Sequence, residues 1–104
     1  MARFDLYPNP DPEDRVDTPY VLDVQNDHIG GLATRVVIPL RTQRLVPLPA
    51  RGLNPTLTIG GKRLVLDTAS LAPVPQLMLK RPMELPAVQR GEVLDALDTL
   101  FGGY

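Results

Sequence analysis

The sequence predicts a mainly β chain ending in one α-helix: a small antiparallel sheet or open barrel with that helix as its cap. Three observations carry the expectation. Apolar and polar residues alternate over short segments cut by proline and glycine. "TLTIGGKRLVLD" has the form of a hairpin, Gly60-Gly61 supplying the positive φ angles of its turn. A sustained helical period occurs only near the end, where Val93, Leu97 and Leu100, with Leu94 and Phe101, fall on one stripe. At 104 residues, residues 1–104 are read as a single domain without a linker or internal repeat.

Taken in order, "RFDLY" sets Phe4 and Leu6 against Arg3, Asp5 and Tyr7, the period of a half-buried strand. "PNPDPEDRVDTP" mixes prolines with acids and reads as a loop, because neither a helix nor a central strand accepts that proline density. "YVLDVQ" resumes alternation with Tyr20, Leu22 and Val24 on one face, and "NDHIGGLAT" is a polar connection. "RVVIPL" is expected to be a strand closed by Pro39, and "QRLV" a short strand ended by "PLPARGLNP". After the hairpin, "TASLAPVP" has room for one helical turn before "QLMLK". Gly91 weakens the start of the final helix by about 1 kcal/mol relative to alanine. Gly102 is where it should end. Glu92, Asp95 and Asp98 form its acidic side, and Asp98 faces the negative end of the helix dipole, at a cost of about 0.3–1 kcal/mol.

The composition excludes several chemistries. The chain has no cysteine and one histidine, His28, so a zinc site of the Cys/His kind and a cysteine nucleophile are both ruled out. Ser70, His28 and Asp23 or Asp27 contain the atoms of a hydrolytic triad, but "TASLA" lacks the glycines of a nucleophile elbow. No phosphate-binding glycine loop is present. The expectation is therefore no enzyme, no cofactor and no metal. No apolar run reaches membrane-spanning length and "MARFDLYPNP" lacks a signal peptide's apolar stretch, which with the absent cysteines makes the cytoplasm the expected compartment.

Charge is unevenly placed although the net charge is −1. Residues 1–34 and 82–104 are acidic, whereas Arg35, Arg41, Arg44, Arg51, Lys62, Arg63, Lys80 and Arg81 face Asp67 alone in residues 35–81. A nucleic-acid groove would interleave aromatics for stacking, and residues 21–100 contain none. An acidic protein segment is the better partner for this basic region, with Arg41, Arg44 and Arg51 as candidate contacts, and no direct nucleic-acid contact is expected.

At "VLDVQNDHI", "RVVIPL", "LNPTLTIGG", "TASLAPVP" and "ALDTLFGGY", in that order and spacing, the chain resembles the CcdB family, the toxins of bacterial addiction modules. The resemblance covers nearly the whole chain, loosening at 8–19 and 76–90. It implies a strongly bent antiparallel sheet of the SH3-like open-barrel type with a small side sheet and a C-terminal helix. It also implies a homodimer that binds the DNA gyrase A subunit, poisons the enzyme and is neutralised by a CcdA-like antitoxin, serving plasmid maintenance. Carried over residue by residue, the gyrase-binding positions are Asp98, Phe101, Gly102, Gly103 and Tyr104, with Asn26, His28, Ile29 and Gly30 in the loop after the second strand. One departure stands out. The family pattern Phe-Trp-Gly-Ile is here Phe101-Gly102-Gly103-Tyr104, so the tryptophan that stacks on a gyrase arginine is missing. An aromatic anchor of that kind commonly carries about 2 kcal/mol or more, and Tyr104 is the side chain left to replace it. Two alternatives stay open: a degenerate member that dimerises and binds antitoxin but has lost gyrase, and an mRNA-cleaving toxin of related fold.

Overall fold

The computed structural model describes residues 2–27 and 31–102. Seven strands are present among them: β1 (Asp5–Pro8), β2 (Tyr20–Asp23), β3 (Thr34–Arg41), β4 (Thr56–Ile59), β5 (Lys62–Leu66), β6 (Ala72–Pro75) and β7 (Met83–Glu84). One helix, α1 (Arg90–Phe101), follows. Every pairing is antiparallel. The strands run in the order β4-β5-β3-β2-β1-β7, with β6 attached to β3 off that path, and form an open, strongly curled half-barrel.

The curl follows from β3, which exchanges neighbours along its length. Thr34 to Val37 pair with β6, whereas Leu40 and Arg41 pair with β5. Pro39 does not close this strand as its sequence suggests; β3 runs on to Arg41. Val24 N donates to Val36 O (3.0 Å), a phase that turns the Pro39 nitrogen away from β2. It points instead to the gap between the end of β6 and the end of β5. Its carbonyl there accepts from Asp67 N (3.0 Å), so the missing N–H breaks no rung of the β2 ladder.

The hairpin forms as expected, with Gly60 at φ 57° and Gly61 at φ 81° joining β4 to β5. "QRLV" is not a strand. Leu45 N and Val46 N bond back to Thr42 O and Gln43 O, closing turns rather than a ladder. "TASLAPVP" holds its helical turn at Thr68–Ser70 and, beyond expectation, strand β6.

The main core lies between the inner face of the sheet and α1, with Leu6, Leu22, Ile38, Leu40, Leu57, Leu64, Leu66 and Leu85 all buried. A smaller cluster of Tyr7, Val21, Val37 and Leu79 covers the opposite face of β1–β3. That second layer corrects the half-buried reading of the first strands: Tyr7 and Val21, expected outside, are buried. On α1 the buried residues are Val93 and Ala96, with Leu97 packed against the core. Leu94 and Phe101 lie off that stripe, Phe101 69% exposed. Ala96, which periodicity of large residues overlooks, has no bulk to hold the helix off the sheet.

Candidate functional site

The last turn of α1 is built by its C-cap. Gly102 adopts the left-handed conformation (φ 65°, ψ 46°) and its N–H donates to Asp98 O. This is the termination that its glycine predicts, since a side chain in that region meets its own backbone. Asp98, Phe101 and Gly102 are thereby brought together, all exposed. Gly103 and Tyr104 lie outside the described residues, as do His28, Ile29 and Gly30. Asn26 is exposed after β2, on the near flank of that connection.

Both flanks of the connection are held by a buried ion pair that the sequence reading passed over. Asp23 is fully buried on β2 and Arg35 nearly so on β3. Arg35 Nε donates to Asp23 Oδ2 (2.7 Å) and Nη2 to Asp23 Oδ1 (3.0 Å), a bidentate fork. Nη2 also reaches Gln25 O and Asp27 Oδ1, each at 3.4 Å. Gln25 N donates to Asp23 Oδ1 (3.0 Å) and Val36 N to Gln25 Oε1 (3.0 Å), so the polar atoms are shared rather than stranded. Hydrogen bonding to Asp23 holds the Arg35 guanidinium above its ordinary value, with burial opposing. The available signal was an acid and a base twelve residues apart, Asp23 and Arg35, each adjoining the apolar run of its strand.

A string of contacts leads from this pair to the start of the helix. Asp27 Oδ1 accepts from Arg3 N (2.9 Å), and the Arg3 guanidinium sits 5.3 Å from the Phe4 ring centroid. Arg90, the first residue of α1, sits 5.5 Å from the same ring and is paired with Glu84 (3.0 Å). Nε of both arginines is buried without a hydrogen-bond partner, leaving the π face of Phe4 as their compensation, about 0.5–1 kcal/mol each. Phe4 itself stands at φ 73°, held there by hydrogen bonds from its N to Asp23 O (2.7 Å) and from Leu85 N to its O (3.3 Å).

The three candidate arginines differ. Arg41 is half-buried, its Nε on Asp67 Oδ2 (2.8 Å) and its Nη1 on Thr18 Oγ1 (2.9 Å). Arg44 forks onto Asp17, whose carboxyl that hydrogen bond holds below its usual value. Arg51 is exposed, with no ion pair among the described residues. Of the triad candidates, Ser70 Oγ donates to Asp67 Oδ2 (2.7 Å), Asp23 belongs to Arg35 and Asp27 accepts from Arg3 N, while His28 lies outside the described residues. Among the described residues no three acidic or histidine side chains converge as a metal would require.

A groove on the outer face was not foreseen. Its apolar stretch, about 510 Å³, is floored by Val21, Val74 and Met78 and walled by Pro10, Pro12 and Pro75. Through Pro10 and Met78 it continues into a cleft of about 330 Å³ edged by Arg15, Lys80 and Arg81. The proline-rich loop and the segment after β6, far apart in sequence, form its two banks; only the fold joins them.

Comparison with known families matches residues 3–103 to the model described as CcdB protein. No curated protein matches the chain. No helix among the described residues is long and apolar enough to cross a membrane.

Proposed function

The chain belongs to the CcdB family, and from that premise we propose that it is the toxin of a toxin–antitoxin module whose target is the DNA gyrase A subunit. The supporting observation is the end of α1. Phe101 is 69% exposed beside Asp98, on a helix already closed by its Gly102 cap. Phe101 stands at the position that the family resemblance assigns to the gyrase contact, and the fold leaves its ring outside the core. Asn26, His28, Ile29, Gly30, Gly103 and Tyr104 complete the proposed gyrase surface. The action is steric, a two-fold dimer wedged into a two-fold enzyme, with no catalytic group. Because gyrase is cytoplasmic, so is the proposed site of action.

The antitoxin is proposed to supply an acidic segment. Of the basic candidates, Arg51 is ready to meet it, while Arg41 and Arg44 do so only by exchanging Asp67 and Asp17 for its carboxylates. Lys80 and Arg81, at the basic end of the outer groove, join the proposed set. Antitoxin binding should weaken steeply with salt, as exposed charge pairing is screened.

A gyrase supercoiling assay with the purified chain tests the reading. Inhibition that disappears on removal of residues 103 and 104, which leaves the Gly102 cap in place, with the melting temperature kept, supports it; Tyr104→Ala should remove most of the effect. Truncation that destabilises the fold yet leaves inhibition intact refutes it. The second reading, a member that pairs with itself and with antitoxin but no longer engages gyrase, is favoured by Gly102, which offers no side chain where the family has tryptophan. Its signature is antitoxin binding without any gyrase effect. RNA cleavage by the purified chain would instead favour the mRNA-cleaving alternative.

A further inference from the structure

Register sorts the backbone groups of each border strand into those that face a neighbour and those that face outward. On β6, Gln76 N donates to Ala33 O (2.8 Å), in phase with Val37↔Ala72 and Arg35↔Val74. Pro73 and Pro75 therefore occupy the outward positions, and that border presents no N–H. β7 is guarded differently, by flanking prolines and a charge. Leu85 N bonds Phe4 O, in phase with Leu6↔Met83, which turns Pro82, Glu84 and Pro86 outward.

β4 has no such guard. Leu66 N donates to Pro55 O (3.0 Å), in phase with Leu57↔Leu64 and Ile59↔Lys62, so Thr56 and Thr58 face outward. The strand reads Thr-Leu-Thr-Ile, with no proline, no charge and strong β preference. An edge of that kind templates another strand.

The outward groups of Thr58 are nevertheless occupied. Thr58 N donates to Gln89 Oε1 (2.7 Å), and Thr58 O accepts from Gln89 Nε2 (3.0 Å). One carboxamide reproduces the donor and acceptor of a neighbouring strand. Gln89 also stands at the N-cap of α1, yet its side chain makes no capping bond there. The helix starts uncapped while the amide serves the sheet.

We propose that Gln89 closes the β4 edge against strand addition by a second copy of this chain. The occupant follows from the strand itself: a second Thr-Leu-Thr-Ile segment, antiparallel, offers Thr56 and Thr58 the same donor–acceptor pairs as the amide. Gln89→Met keeps the length of the side chain and removes both bonds. The Thr58 amide should then exchange with solvent about tenfold faster or more, and sedimentation should show an added, concentration-dependent species larger than the wild-type one. Thr58→Pro in that background takes away the outward N–H without touching the β5 ladder, and should restore the wild-type size. Gln89→Ser, which gives α1 an ordinary N-cap while removing the strand mimic, should behave as Gln89→Met and serves if that variant folds poorly. Unchanged Thr58 exchange overturns the proposal. So does faster exchange with wild-type sedimentation at every concentration, or association that persists with Thr58→Pro.

Discussion

Replacing Arg35 with methionine should be among the most damaging single changes in this chain. The substitution keeps an unbranched stem between β2 and β3 and removes the guanidinium. Asp23 then loses the 2.7 Å and 3.0 Å bonds of the fork and keeps the bond from Gln25 N. Its side chain is 0% exposed, so water cannot take the place of Arg35 without opening the sheet. Stranding one partner of a buried pair costs about 3–5 kcal/mol, because the remaining charge keeps its desolvation penalty without its counterion. At roughly 4–8 °C per kcal/mol for a domain of this size, the melting temperature should fall by about 12 °C or more. Thermal and urea melts at one fixed protein concentration measure the temperature shift and the free-energy loss, since any self-association makes stability concentration-dependent. Asp23→Asn in the same background should return about 2 kcal/mol, as the neutral amide no longer needs a cation. A loss below about 1 kcal/mol for Arg35→Met, or a double variant equal to the sum of the singles, would refute the argument that this pair holds β2 to β3.

Tyr7 gives a pH prediction. Burial, then the charges of Asp5 and Asp23, push its phenol from 10.0 up to about 12. A raised folded-state value means stability fully present below the unfolded value and lost as pH climbs through the folded one. The chain should therefore lose stability between about pH 10 and 12, and Tyr7→Phe should flatten that part of the profile in alkaline melts. Gly102→Ala should cost about 1–2 kcal/mol by thermal melts, and Gly102→Asn less. Among the described residues, nothing beyond its own neighbours in the chain lies within 4 Å of the added Cβ, so the penalty is conformational rather than a clash. Gly102→Trp carries the same penalty, so any recovery of gyrase inhibition must be judged at matched folded fraction. Phe101→Ala should move stability by less than about 0.5 kcal/mol while removing gyrase inhibition; a large fall in melting temperature would place Phe101 in the core instead.

What the sequence determined by itself was whatever depends on neighbours along the chain. Gly60-Gly61 demands a turn, Gly102 ends a helix, and the alternation in "YVLDVQ" aims Leu22 and Val24 at one core because successive side chains of a strand point oppositely. The CcdB resemblance was legible for the same reason, being carried by ordered local motifs over residues 3–103. Tertiary structure decided whatever needs two distant segments. Alternation cannot tell that a second layer buries Tyr7 and Val21 from the other side. Proline's rule against central strands could not anticipate that β3 changes neighbours at Pro39, where an absent N–H does no harm. Counting basic residues showed a cationic middle, but not that Asp67, Asp17 and Asp23 already hold Arg41, Arg44 and Arg35. Gln89 looks like a poor helix start until Thr58, 31 residues earlier in the chain, is brought against its amide. Local preferences amount to about a kilocalorie per residue, whereas burying a charge without its partner costs several. Those greater costs arise only between segments that meet once the sheet has curled.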